Sequence, residues 1–500
     1  MTPISDLMVS YGEGASVKVK KAVAAATLAT LLACGGGGTS GTPVSPSPAP
    51  GGDAGTTTPI LQTIVVTPAD PGVVAGSSVQ LTATGAYSDG STRDITSSAA
   101  WTSADTSVAT VGSSGLVRAK ASGTTKVAAT SGGITDIVTL TVRPLSLTRV
   151  KKVTLTGSGE GGSARPEVVA TSDRVFVLYL GHIGGMSRTF DVKVYDRDMT
   201  TQIAAKTIVS STASFGSPTD IRVAADGGYL YAFYETSAPL SPFLHGAKYA
   251  LNDAFDLIAS ASSPITTGRP LPTLAEGDEI INDPAPLVGP VSVFVITRIW
   301  STIASAGKTV YRVREFSKDT MAQVRQFDLD LSSVADGRGR VTSLLYSTGS
   351  IYMALATTVS DQGAGDANKS SDDGAQCDII LLRMNPDWTF DASKDVRVIS
   401  AEPDDRENYI TGLRTDGTYF YMTYKQATGL PPTGEQRAVI KIFDMDLNLL
   451  LKEIVTSVAW GGAGGEIRPS LEVRGNRVFS GQSGAQQVGT GDASVYLYEK

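Results

Sequence analysis

Arg165–Ser210 reads RPEVVATSDRVFVLYLGHIGGMSRTFDVKVYDRDMTTQIAAKTIVS, and this layout recurs through the rest of the chain. It divides into RPEVVA, a Ser-Asp turn, RVFVLYL, a polar loop, FDVKVYD, an Arg-Asp turn and the mixed run QIAAKTIVS. Alternating or continuous apolar runs rich in Val, Ile, Tyr and Phe, punctuated by turn residues, are the signature of strands. Each unit therefore holds four strands. Self-similarity at such a period decides the architecture before any single motif does.

Later copies keep the plan. PTDIRV, YLYAFY, AKYAL and FDLIAS follow from Pro218, with turns at Asp226-Gly227 and Asn252-Asp253. A third, less regular copy contains PAPLVG, VSVFVIT, TVYRVREF and AQVRQFDL. The fourth and fifth turn at Thr348-Gly349 and Asp416-Gly417, then at Asn385-Pro386-Asp387 and Met445-Asp446. The sixth, RPSLEV, RVFSGQS and SVYLYEK, stops at Lys500 one strand short. TRVKKVTLT at Thr148–Thr156 belongs to no complete copy and is expected to supply that strand, which would close a ring and remove exposed edges. The layout resembles a six-bladed β-propeller over 147–500; a seventh blade would have to come from 257–285.

Upstream, Lys18, Lys20 and Lys21 precede an apolar run, Ala22–Ala33, and then Cys34 and four glycines. A basic flank and a short apolar run too brief to span a bilayer describe a secretory signal over 1–34. The ending Leu31-Leu32-Ala33-Cys34 resembles the lipobox of bacterial lipoproteins. That resemblance implies lipidation at Cys34, a membrane partner through the lipid, and, with Gly35 next, outer-membrane placement in a host with two membranes. Residues 35–59, almost wholly Gly, Thr, Ser, Pro and Ala, read as a disordered tether.

Residues 60–144 form a separate small domain of short strands and Gly-rich turns, a β-sandwich pattern. Val66–Pro68, AYSDGSTRDIT, Trp101–Val111 and Gly115–Thr124 resemble the bacterial Ig-like group 2 family, whose members serve as stalks or adhesive modules. A spacer role follows from that resemblance, with Trp101 as a core aromatic. The fold class expected for the chain is all-β: an Ig-like sandwich followed by the propeller.

Several function classes are excluded or weakened. A net charge of -7 and a pI near 5.1 argue against nucleic acid. The two cysteines, Cys34 and Cys377, leave no disulfide framework once the first is acylated. His182 and His245 are expected in loops without a second ligand at zinc spacing. No cofactor is expected. Asp361–Asp373 (DQGAGDANKSSDD) offers calcium-type oxygens but not EF-hand spacing, and a solvated acidic loop accounts for it. Asp444–Asp446 reads as an Asx-type turn.

The second-to-third connections are the long ones, at 181–189, 236–246, 299–308, 359–376, 425–437 and 481–492, and all leave one face of the ring. Function concentrates on long loops over rigid scaffolds. On that face Arg165, Asp220, Asp283, Arg340, Tyr409 and Arg468 begin the innermost strands and are expected to rim the central channel. They would bind a carboxylated or phosphorylated ligand through guanidinium groups, or pair with one another and close the channel. Three roles compete: an envelope-anchored binder of glycan or protein, a carboxylate-dependent glycan hydrolase or lyase with Glu167 or Glu466 as the test residues, and an outer-membrane assembly scaffold. The arginine cluster is reminiscent of sialidases, but their repeated S-x-D-x-G-x-T-W boxes are absent from this propeller.

Overall fold

The computed structural model describes residues 58–155, 164–184, 187–210, 217–237, 242–260, 280–300, 309–334, 340–358, 377–400, 405–428, 435–459, 469–482 and 493–500. The expected signal and lipobox segment 1–34, the expected tether up to residue 57 and the acidic loop 361–373 lie outside them, as do Glu466 and Arg468. Among the described residues every regular element is a strand.

The first ten strands, Leu61–Thr67 to Ile134–Arg143, form the sandwich. Its core gathers Val66, Leu81, Ala83, Val117, Val127 and Leu140, with Trp101 packed against it. The Trp101 indole N–H donates to the carbonyl of Thr96 at 2.8 Å. Trp101 is thus a core residue with its polar atom satisfied, as its place in the sequence indicated.

The remaining strands make six sheets of four. Five are meanders with innermost strands Ala164–Ala170, Ser217–Asp226, Ile280–Val288, Arg340–Ser347 and Asp405–Thr415. The sixth runs from Ser470–Arg474 outward through Arg477–Gln482 and Ala493–Glu499 to Thr148–Leu155, which pairs antiparallel with Ala493–Glu499. Each innermost strand packs against its counterparts in both neighbouring blades, and those of blades one and six also meet, so the cycle is closed. Residues 261–279 lie outside the description; Leu257–Ser260 is the outer strand of blade two, not part of a seventh sheet.

The blades are joined by apolar seams. Phe176, Phe190 and Val192 of blade one meet Ile221, Leu230 and Phe255 of blade two. Tyr352, Leu381, Phe420 and Val439 fill the seam between blades four and five. A recurrent device anchors five of the six seams at the turn between third and outer strands. Met199, Phe255, Met321, Trp388 and Leu447 occupy corresponding positions there, each with positive φ between 50° and 70°. A left-handed L-residue costs about 1–2 kcal/mol, whereas fully burying a large apolar side chain contributes about 1.5–3 kcal/mol. Burial wins: Met321 is 0% exposed and Phe255 1%. Trp388 packs edge-on to Phe294 of blade three at 5.4 Å, which shows the direction of the latch, back onto the preceding blade.

The same turns are held by charge. Arg174, the first residue of its strand, donates from Nε to Asp253 of blade two at 2.6 Å. Arg477, in the same repeat position, donates to the carbonyl of Arg197 in blade one at 2.8 Å and pairs with Asp198. The Asx turn at Asp444 forms as expected, its Oδ1 accepting the N–H groups of Asp446 and Asn448 at 2.9 and 2.8 Å.

The strands run further than the sequence pattern implied. Arg174–Gly184 and Ser187–Asp196 leave only 185–186 between them, and Tyr229–Ser237 and Pro242–Ala250 only 238–241. His182 and His245 therefore lie in strands, correcting the loop assignment. The glycines and prolines that mimic a loop serve the sheet. At Gly181 a Cβ would lie 2.5 Å from Thr189 Oγ1 and closer still to the Asp191 carboxylate, so only glycine fits.

Candidate functional site

Strand direction puts the second-to-third connections and the start of each innermost strand at one end of the ring. The backbones of Arg165, Asp220, Asp283, Arg340 and Tyr409 all lie in the leading halves of innermost strands. Arg468 falls outside the described residues, as do the side chains of the other five.

A feature of the ladders marks this end. In five blades the pairing of innermost and second strands slips near the start of the innermost strand: between Ala164 and Glu167, Pro218 and Asp220, Asn282 and Ala285, Val341 and Ser343, and Arg406 and Tyr409. Arg165-Pro166 and Asp283-Pro284 fall inside two of these slips. Proline has no N–H to give the ladder, so the strand bulges there, and a bulge re-aims the residues beside it. The X-Pro pair at a strand start was the sequence signal for it.

Deeper in the ring, two ion pairs join neighbouring innermost strands. Arg222 of blade two donates to Glu167 of blade one at 3.1 Å, with Glu167 6% exposed. Arg414 of blade five meets Glu472 of blade six at 2.9 Å. Burial pushes the Glu472 carboxyl upward, against the pull of Arg414. Glu167, a test residue for glycan hydrolysis, thus sits in an inter-blade contact.

The seams turn polar toward the bulged end. In blade three Arg314, 1% exposed, donates to Thr297 Oγ1 at 2.6 Å, and burial pushes its pKa down to about 10. Tyr234 and His245 stack at 4.9 Å in blade two, where burial lowers the imidazole pKa. In blade one Asp191 accepts from Thr189 Oγ1 at 2.7 Å and Thr207 Oγ1 at 2.6 Å. The neighbouring Tyr179 is pushed up to about 12, by burial first and Asp191 second.

Blades five and six carry the densest polar set. Thr423, Lys425, Gln426 and Gln436 are buried in blade five, and Ser470, Ser480, Gln482 and Ser494 in blade six. Ser470 Oγ and Gln482 Oε1 are buried without a hydrogen-bond partner. Unsatisfied buried oxygens of this kind call for a water or a ligand group. Hydroxyls, amides and cations at one end of a rigid ring can recognise a polyhydroxylated or anionic ligand. Among the described residues no group of three or more His, Cys, Asp or Glu could hold a metal ion.

The sequence and the fold can be set beside known proteins. Residues 60–142 match the family model of the bacterial Ig-like domain (group 2). Ice-binding protein 1 of Shewanella frigidimarina is 46% identical over 90 residues, a stretch covering 18% of this chain and 10% of that protein. Among solved structures, the phage phi92 endosialidase is 9% identical, covering 70% of this chain and 69% of its own, with a TM-score of 0.47. The GH93 α-L-arabinofuranosidase of Fusarium graminearum, also 9% identical, covers 70% and 97%, with a TM-score of 0.46. The segment Ile60–Val142 is thereby identified as a bacterial Ig-like domain of group 2, carried ahead of a six-bladed ring.

Proposed function

We propose that the protein is a cell-envelope-anchored binding protein whose propeller head presents its long-loop end to an envelope glycan or protein. Lipid on Cys34 and the tether 35–59 attach it to the outer membrane, and Arg165, Asp220, Asp283, Arg340, Tyr409 and Arg468 form the ligand rim. The observation that carries this reading is the asymmetry of the ring. One end carries tight turns and apolar latches; the other has bulged inner strands and the buried oxygens of Ser470 and Gln482, which have no hydrogen-bond partner. The Ig-like group 2 domain at residues 60–142 and the 90-residue likeness to a bacterial ice-binding protein support an extracellular or surface setting.

The test is a pull-down from detergent-solubilised envelope with residues 60–500 as bait, beside the Arg165/Arg340/Arg468→Ala variant. Glycan or protein retained by the wild type and lost by the folded variant supports the rim. A protein complex retained equally by both points to a scaffold. Turnover of a glycan by the wild type would replace binding by hydrolysis or lysis.

A further inference from the structure

The Ig-like domain is not joined to the propeller as beads on a string. Its last strand ends at Arg143, and Thr148, only a short link later, opens the outer strand of the closing blade. Leu145 in that link is 7% exposed and belongs to the core between blades five and six, with Tyr419, Tyr421, Val473, Val478 and Tyr498. Val74 and Leu147 pack on the same cluster, and Leu450 of blade five packs on the core of the Ig-like domain.

The contact centres on Gly76. Its φ is +83°, and a Cβ there would stand 2.7 Å from the Tyr419 ring and nearer still to Leu450. The backbone of the Ig-like domain therefore lies directly against blade five. The same blade-five turn is gripped from the closing blade: Lys500 pairs with Asp416 and bonds Tyr421 Oη at 2.8 Å, while Tyr421 donates to Asp416 at 2.7 Å. Tyr419 and Leu450 adjoin the first-to-second and third-to-outer turns of blade five, which lie at the tight-turn end.

We propose that the Ig-like domain is a clasp: docked on the tight-turn end of blade five, it holds the closing strand Thr148–Leu155 in place, makes the two domains one cooperative unit, and fixes the long-loop end facing away from it. This holds whatever the head binds. Because the closing strand is, among the described residues, the one strand of the ring contributed from the other end of the chain, it is where the ring opens first if the clasp is loosened.

The experiment compares the full-length chain with Gly76→Ala and Gly90→Ala. Gly90 has a φ of +78° but nothing within 4 Å of its Cβ position, so it reproduces the backbone strain without the clash. Hydrogen exchange in Thr148–Leu155 and Ala493–Glu499 is expected to accelerate at least about tenfold in Gly76→Ala, and its single calorimetric transition to split in two, while Gly90→Ala keeps wild-type protection there. Leu450→Ser, which leaves the backbone of the Ig-like domain untouched, is expected to reproduce the effect from the propeller side. Unchanged exchange at the closing strand in both Gly76→Ala and Leu450→Ser, or two separate transitions in the wild type, overturns the proposal.

Discussion

Replacing Glu167 by Gln decides whether this buried acid is structural or chemical. The variant keeps the side-chain shape and removes the charge that Arg222 faces at 3.1 Å. Their side chains are 8% and 14% exposed, so neither charge is fully rehydrated by surface water. Breaking a buried pair costs about 3–5 kcal/mol, and the residual exposure of Arg222 places this case near the lower figure, about 3 kcal/mol. With an unfolding entropy of about 2.1 cal/mol/K per residue, spread over a cooperative unit of about 440 residues, that lowers the melting temperature by about 3 °C. Arg222→Met added to Glu167→Gln removes the guanidinium that has lost this carboxylate and should restore part of the loss. Thermal denaturation of the two single variants and the double variant reads both numbers. A Glu167→Gln protein that melts like the wild type but loses ligand retention or turnover refutes the structural assignment and makes Glu167 a functional acid.

Other outcomes follow from the same reasoning. Met321→Ala loses a buried side chain while keeping the left-handed backbone at φ 58°, so Met321→Gly should be the more stable of the two by about 1 kcal/mol, reversing the usual order; denaturant titration checks it. Ser470→Ala removes a buried hydroxyl that has no partner, so stability should stay within about 0.5 kcal/mol of wild type or rise, and a loss of ligand retention would then report a direct contact. His245 has its pKa lowered by burial in the folded state. As pH falls below about 6.5 the unfolded chain takes up a proton that the folded chain refuses, so stability drops from there to the folded pKa. In His245→Phe that part of the pH slope should vanish in melting curves taken between about pH 5 and 7.

The ring was legible because its turns are punctuated. Asp226-Gly227, Thr348-Gly349 and Asp416-Gly417 each mark a first-to-second hairpin, with glycine at positive φ. Copy counting then gave the number of sheets, and the family pattern around Trp101 gave the sandwich. The latches were not legible, since a buried Met, Phe or Trp at positive φ contradicts local preference and is stabilised only by a neighbouring blade. Their trace is an apolar residue three positions after Asp196, Asn252, Asn385 and Asp444. His182 and His245 were misplaced because glycine and proline around them imitate loops, whereas Gly181 is required by side chains from the adjacent strand. The docking of the Ig-like domain was invisible for a similar reason. Gly76 looks like any turn glycine until Tyr419, more than 300 residues away, is brought against it.

The central claim is that the long-loop end of the ring receives the ligand. Hydrogen-exchange footprinting of residues 60–500, free and loaded with the envelope fraction retained in the pull-down, tests it directly. Protection is expected at Ala164–Ala170, Arg340–Ser347 and Ser470–Arg474 near their leading ends and in the connections after Arg174–Gly184 and Phe420–Thr428. Protection confined to the tight turns around Asp226, Thr348 and Asp444, with the bulged end unchanged, would contradict the account.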